Sequence, residues 1–153
     1  MTQTSRTVPT VPAAGGTTGK IVVRRTIAAT VDELFEAWLD PESLAQWMRP
    51  GAGANSTVKV AGGTFEVVMH HQSGPNRHYG EYRAIERNKK LVFTWYSDAT
   101  HHKETVVTVE FRAASASTEI VLTHERMPDH EACLKHSQGW TMALELLEGL
   151  LKH

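Results

Sequence analysis

Hydrophobic and polar positions along the chain change period twice, and each change marks a boundary between kinds of structure. The β-branched run "IVVRRTIAA", beginning after Lys20, predicts a first strand. In "TVDELFEAWLD" the apolar residues Val31, Leu34, Phe35 and Trp38 recur at helical spacing and share one face. Thr30 and Glu33 stand at the spacing of a capping box, in which each side chain bonds an otherwise orphaned amide. Asp40-Pro41-Glu42 then restarts a helix: an N-cap carboxylate, a proline in the first turn and a second acid near the positive dipole end. This second helix carries Leu44, Trp47 and Met48 and is expected to stop at Arg49-Pro50-Gly51.

From Ser56 to about Glu125 the period becomes two. Gly62-Gly63, Ser73-Gly74-Pro75-Asn76, Arg87-Asn88-Lys89-Lys90, Ser97-Asp98 and Ala114-Ser115-Ala116-Ser117 are the turn signals. Between them lie "STVKVA", "TFEVVMHH", "HYGEYRAIE", "LVFTWYS", "KETVVTVEFR" and "TEIVLTHE", six strands whose short connections predict an antiparallel meander. Alternation places Phe65, Val67 and Met69 on one face with Leu91, Phe93 and Trp95. Val107, Val109 and Phe111 join them, as do Ile120, Leu122 and His124. The other face takes Glu66, Thr94, Thr108, Glu110, Glu119 and Thr123, the polar outside of a one-sided sheet.

After Met127-Pro128-Asp129, with Asp129 as N-cap, a final helix is predicted over about 131–151. Cys133, His136, Trp140, Leu144, Leu147 and Leu151 form its apolar stripe, with Ala132, Gly139 and Ala143 along one flank. A mid-helix glycine costs roughly 1 kcal/mol against alanine, and Gly139 in "HSQGW" is expected at the edge of the buried face. The resulting fold class is α+β: one strand, two short helices, six strands and a long carboxy-terminal helix. Only that last helix, about 30 Å long at 1.5 Å per residue, can cover the apolar face of a seven-stranded antiparallel sheet. A curved sheet gripping one helix does not fill space evenly, so a void between them is expected.

Composition narrows the functional classes. A net charge of −1 over 153 residues gives no electrostatic case for nucleic acid or an anionic membrane. No run approaches the ~20 apolar residues of a membrane span, and the amino terminus lacks the apolar core of a signal peptide. Cys133 is the single cysteine, so no intramolecular disulfide forms, and a reducing, cytoplasmic setting is the expectation. Residues 1–19 are rich in Thr, Pro and Gly and predict a disordered tail ahead of a single domain over 20–153.

The segments "VRRTIAATVDELFEAWLDPESLAQWMRP", "GGTFEVVM", "GEYRAIERNKKLVFTW" and "VVTVEF…TEIVLTHERMP…HSQGW" resemble, in that order, the domain shared with the carboxy-terminal part of the Hsp90 ATPase activator. That Aha1-type family belongs to the START-like or Bet v 1-like (SRPBCC) superfamily, and the resemblance spans about 21–151. It implies a helix-grip fold with a hydrophobic cavity. It also implies a choice of roles, because the superfamily includes ligand carriers, cyclases, hydrolases and oxygenase subunits, while its namesake works on an Hsp90-type chaperone.

Candidate chemistry centres on His124 and His136, which alternation and helical spacing both turn inward. A buried imidazole is either a satisfied core group, a neutral hydrogen-bonding handle or a proton carrier. The aromatics either pack as core or wall a pocket for a flat apolar molecule; the candidate wall is Trp47, Phe65, Met69, Tyr82, Trp95 and Trp140. The pairs His70-His71 and His101-His102 put neighbours on opposite strand faces, and His124, Glu125, His130 and His136 lack a ligand spacing, so no metal is expected. Cys133 reads as a buried inert thiol, and no glycine-rich phosphate loop is present, so no cofactor is expected. Three functions remain. The first is a binding protein for a small apolar or amphipathic molecule. The second is a modulator of an Hsp90-type chaperone, and the third a cyclase or hydrolase using His124, His136 or Tyr82. An apolar cavity of roughly 300 Å³ or more is expected for the first.

Overall fold

Capping chemistry sets where the helices begin. In the computed structural model, which describes residues 19–49 and 55–151 and the backbone of 8–10, α1 spans Val31–Leu39 and α2 spans Pro41–Trp47. Thr30 Oγ1 accepts the Glu33 amide at 3.2 Å, and Glu33 Oε1 accepts the Thr30 amide at 3.2 Å, the reciprocal pair predicted from the sequence. Asp40 Oδ2 accepts the Ser43 amide at 3.0 Å and opens α2, with Pro41 in the first turn. The predicted stop at Pro50-Gly51 lies outside the described residues. The long helix α3 runs His130–Leu151 behind Asp129, whose Oδ1 accepts the Ala132 amide at 2.8 Å.

The strands are β1 Val8–Thr10, β2 Gly19–Ile27, β3 Asn55–Ala61, β4 Thr64–His71, β5 Gly74–Glu86, β6 Lys90–Trp95, β7 Thr105–Ala113 and β8 Thr118–Met127. They form one antiparallel sheet in the order β1-β2-β8-β7-β6-β5-β4-β3. The six meander strands follow one another, and β2 closes the open side of β8. The seven expected strands are therefore β2 to β8, and an eighth is added: Val8–Thr10 pairs with Val22–Arg24. That strand falls inside the segment read as a disordered tail, which is corrected at those residues. The reason is an edge. Without β1, one side of β2 would present a row of unpaired N–H and C=O groups, and even a weak "VPT" segment can satisfy them. Residues 1–7 and 11–18 lie outside the described residues.

Sheet register fixes which side chains meet. Val107 stands opposite both Phe93 and His124, Val109 opposite both Leu91 and Leu122, and Phe111 opposite Ile120. All of these are buried. One expected outward residue departs from the pattern: Thr94 is fully buried, and its Oγ1 accepts the Glu81 amide at 2.9 Å. Against the apolar face lie Leu34, Phe35 and Trp38 of α1, Leu44 and Trp47 of α2, and Cys133, Trp140, Leu144 and Leu147 of α3. Arg25 of β2, 9% exposed, donates through Nε to Glu148 Oε1 at 3.2 Å and ties the last turns of α3 to the sheet.

Where β5 passes β6 the backbones come unusually close. A Cβ added at Gly80 would lie 1.9 Å from the Thr94 carbonyl oxygen and 3.0 Å from Phe65 Cζ. The Thr94 carbonyl is backbone and cannot retreat without separating two paired strands. Gly80→Ala is expected to destabilise the fold by about 3 kcal/mol or more, the upper range of overpacking costs. Urea unfolding of the variant beside the parent protein measures this; an unchanged midpoint would contradict the packing described.

Candidate functional site

The concave side of the sheet and α3 do not fill the space between them. A cavity of about 250 Å³ remains, open at one side. Its apolar wall is made by Met48 after α2, Met69 of β4, Trp95 of β6, and Trp140, Met142 and Ala143 of α3. Its polar positions are Arg49, His71, Asn76, His78, Lys135 and His136. Gly139 also borders it. The residue is exposed at the cavity mouth rather than sitting at the edge of the buried stripe, which corrects its expected placement. A Cβ added there would meet nothing within 4 Å.

Of the residues singled out from the sequence, Met69, Trp95, His136 and Trp140 border this cavity. Phe65 and Tyr82 face a different gap of only about 10 Å³, closed by their own contact at 5.5 Å between ring centroids. Trp47 is fully buried away from both, with its indole N–H donated to the Ala37 carbonyl at 2.9 Å and its ring 4.6 Å from that of Trp38. His124 is fully buried behind Trp140.

His124 is held by a directed run of hydrogen bonds. The Trp140 indole can only donate, and it does so to His124 Nδ1 at 3.0 Å. The imidazole therefore carries its proton on Nε2, which donates to Thr105 Oγ1 at 2.7 Å, and the Thr105 hydroxyl donates to the Trp95 carbonyl. Every donor meets an acceptor only while the ring is neutral. Burial pushes the His124 pKa well below its ordinary value, and the neighbouring His136 pushes the same way.

His136 lies 4.8 Å from His124, ring to ring and edge to face. Its Nδ1–H donates to the Ala132 carbonyl at 2.7 Å, one turn back. Nε2 is thereby the acceptor nitrogen, and it has no partner among the described residues. Burial lowers the His136 pKa, partly opposed by the Ala132 carbonyl, and Lys135 adds to the lowering. His78, 8% exposed, places its Nδ1 3.3 Å from the Val67 carbonyl and its ring 5.1 Å from Trp95. Burial pushes His78 down to about 4. Two further polar atoms, the Trp95 indole nitrogen and Asn76 Oδ1, are buried without a protein partner. The arrangement is an apolar slot with a few separated polar points, not a nucleophile aligned with a base. Among the described residues no group of three or more His, Cys, Asp or Glu is placed to hold a metal.

Sequence reasoning missed His78 and Asn76. The signal was register: His78 stands opposite Val67 and Asn76 opposite Met69, so both share an inward face. Reading 73–76 as a turn hid that continuity.

An antiparallel sheet gripping a long carboxy-terminal helix, with two short helices after the first long strand, is the helix-grip fold of the START-like and Bet v 1-like class. The particular family follows from the sequence itself. The model of the "Activator of Hsp90 ATPase homolog 1-like protein" family matches residues 28–152, and the chain belongs to that family. Solved structures agree on the fold. Protein CV1439 from Chromobacterium violaceum superposes with a TM-score of 0.76 at 20% identity, over 88% of this chain and 98% of its own. A protein from Rhodobacter sphaeroides gives 0.75 at 19% identity, over 94% and 98%. CalU16 from Micromonospora echinospora gives 0.69 at 18% identity, over 98% and 87%. At these identities the likeness is one of fold. No curated protein matches the chain significantly.

The buried neutral histidines tie stability to pH. A group whose folded pKa is depressed binds protons more readily when unfolded, so its contribution is whole above the unfolded value and shrinks as pH falls. For His78 the window runs from its ordinary 6.5 down to about 4, a loss of about 3 kcal/mol across it, with His124 and His136 acting in the same sense. Urea midpoints between pH 7 and pH 4.5 measure the loss, and His78→Phe should flatten the curve.

Proposed function

We propose that this protein binds a small apolar or amphipathic molecule in the cavity between its sheet and α3. The observation that carries this reading is the combination at one place of unfilled apolar volume and unmet polar atoms. A core that served packing alone would close on Trp95, as it closes to about 10 Å³ between Phe65 and Tyr82. Unsatisfied buried groups cost about 1–3 kcal/mol each, and the cavity gathers two of them, the Trp95 indole and Asn76 Oδ1, around one space that the His136 ring also lines. A ligand with an apolar body and one polar group would satisfy them.

The size limits the ligand. At about 250 Å³ the cavity is smaller than the roughly 300 Å³ expected, the lower end for drug-sized ligands. It equals the liquid volume of about eight waters at ~30 Å³ each. Two fused rings fit; a sterol does not. Trp95 and Trp140, 5.1 Å apart, offer flat surfaces to such a ligand. Family membership supports a second role, contact with an Hsp90-type ATPase, and a chaperone pull-down reads that role independently of the cavity.

Native mass spectrometry of protein purified from its own source should show a co-purified mass. Calorimetry with indole, 2-naphthol and 1-octanol should show binding of at least one. Gly139→Leu places a side chain at the cavity mouth, so affinity for the bound probe should fall about tenfold or more. Stability should hold or rise by about 0.5–1 kcal/mol, because a helical glycine is replaced. Probe binding unaffected by this variant would remove the cavity from consideration.

A further inference from the structure

The cavity has a sign. Its ionisable lining residues are Arg49, His71, His78, Lys135 and His136, and no carboxylate is among them. The nearest acids are already engaged. Glu131 pairs with Lys135 at 3.0 Å, and Asp129 accepts from His101 Nε2 at 2.9 Å and from the Ala132 amide at 2.8 Å. Arg49 donates through Nε to the Gln46 carbonyl at 2.7 Å. The lining thus carries two cations and no acid, with the Lys135 charge offset by Glu131.

Within the slot, His136 is the group able to answer an anion. Its Nδ1–H is committed to Ala132, so ring orientation is fixed whichever charge it carries, and only Nε2 changes between acceptor and donor. The charged and titratable groups around it are His124 on β8, His78 on β5, His71 on β4, Arg49 after α2 and Lys135 beside it. None is anionic, so only the Ala132 carbonyl favours imidazolium in the empty cavity, and burial and Lys135 outweigh it. A carboxylate would supply that missing charge. It would accept from protonated Nε2, and its remaining lone pairs match the unmet Trp95 indole donor.

We propose that the cavity selects small carboxylates with an apolar, ring-sized body over neutral molecules of the same shape, and that His136 takes up one proton from solvent as the carboxylate enters. This rests on the ligand-binding reading above. In the free site His136 is neutral near pH 7 and the ligand arrives ionised, so binding couples to one proton. Between the lowered pKa of free His136 and its raised value in the complex, affinity falls as pH rises, by up to about tenfold per unit.

The test is titration calorimetry with 2-naphthoate and its uncharged analogue 2-naphthamide, from pH 6.5 to 8.5, in buffers of different ionisation enthalpy. The naphthoate should bind about tenfold more tightly at pH 6.5, lose affinity with rising pH, and take up close to one proton per ligand. The amide should show neither slope nor uptake. His136→Gln should erase both the preference and the slope. Should that variant fail to fold, the buffer-dependent proton count of the unmodified protein decides the matter alone. Amide binding as tightly as acid, without proton uptake, overturns the selectivity and leaves the cavity reading standing. Binding of neither probe overturns both. A slope that survives in His136→Gln overturns the assignment to His136.

Discussion

The position of α3 depends on one imidazole remaining uncharged. Trp140 donates to His124, His124 to Thr105 and Thr105 to the Trp95 carbonyl, so a single run of hydrogen bonds joins α3 to β8, β7 and β6. Proton positions along it leave no choice, since the indole has no acceptor to offer. Adding a proton to His124 would set two donors against each other inside a fully buried site. The relay therefore works as both strut and lock: it holds Trp140 at a fixed height over the sheet, and burial keeps the lock closed. At the other end of α3, Arg25 and Glu148 do the same by charge.

Between these two fixings the helix packs down on the sheet, and before the first of them it borders open space. Leu144 and Leu147 are fully buried, whereas the turn holding His136 and Gly139 borders open space. The aromatic residues divide along the same line. Trp38 gathers Trp47 at 4.6 Å, Trp140 at 6.0 Å and Phe93 at 6.4 Å, building a wall of rings under α1 and α2. Trp95 and Trp140 lie at the boundary of that wall, each packed on one side and facing the cavity on the other. A large aromatic core and a cavity are then not alternatives. The first supplies the rigidity that keeps the second from collapsing.

Much of this was legible in the sequence, for reasons that differ by feature. Capping boxes, period-two alternation and the apolar stripe of α3 are local signals, and the residues they placed inward, from Phe65 to His136, are inward. Long-range facts were legible only in part. Nothing local in "VPT" announces β1, because its pairing answers an edge on β2 created elsewhere in the fold. Trp47 and Tyr82 share composition with Trp95 and Trp140; which of them touch the cavity depends on how α2 docks, and no periodicity contains that. His78 could have been placed, since register with Val67 determines its face, but only once the strand is extended back to Gly74.

Two glycines show how the same residue can carry opposite meanings. At Gly80 the missing Cβ is a condition of packing: two backbones occupy the space it would need. At Gly139 the space is empty, so no steric demand of the fold excludes a side chain, and alanine would strengthen the helix. A fold selecting only for stability has a reason to keep the first glycine and none to keep the second. What Gly139 leaves is room beside His136 and Trp140, at the mouth of the cavity between α3 and the sheet. The cost of a weaker helix turn at Gly139 then falls beside the cavity rather than in the core.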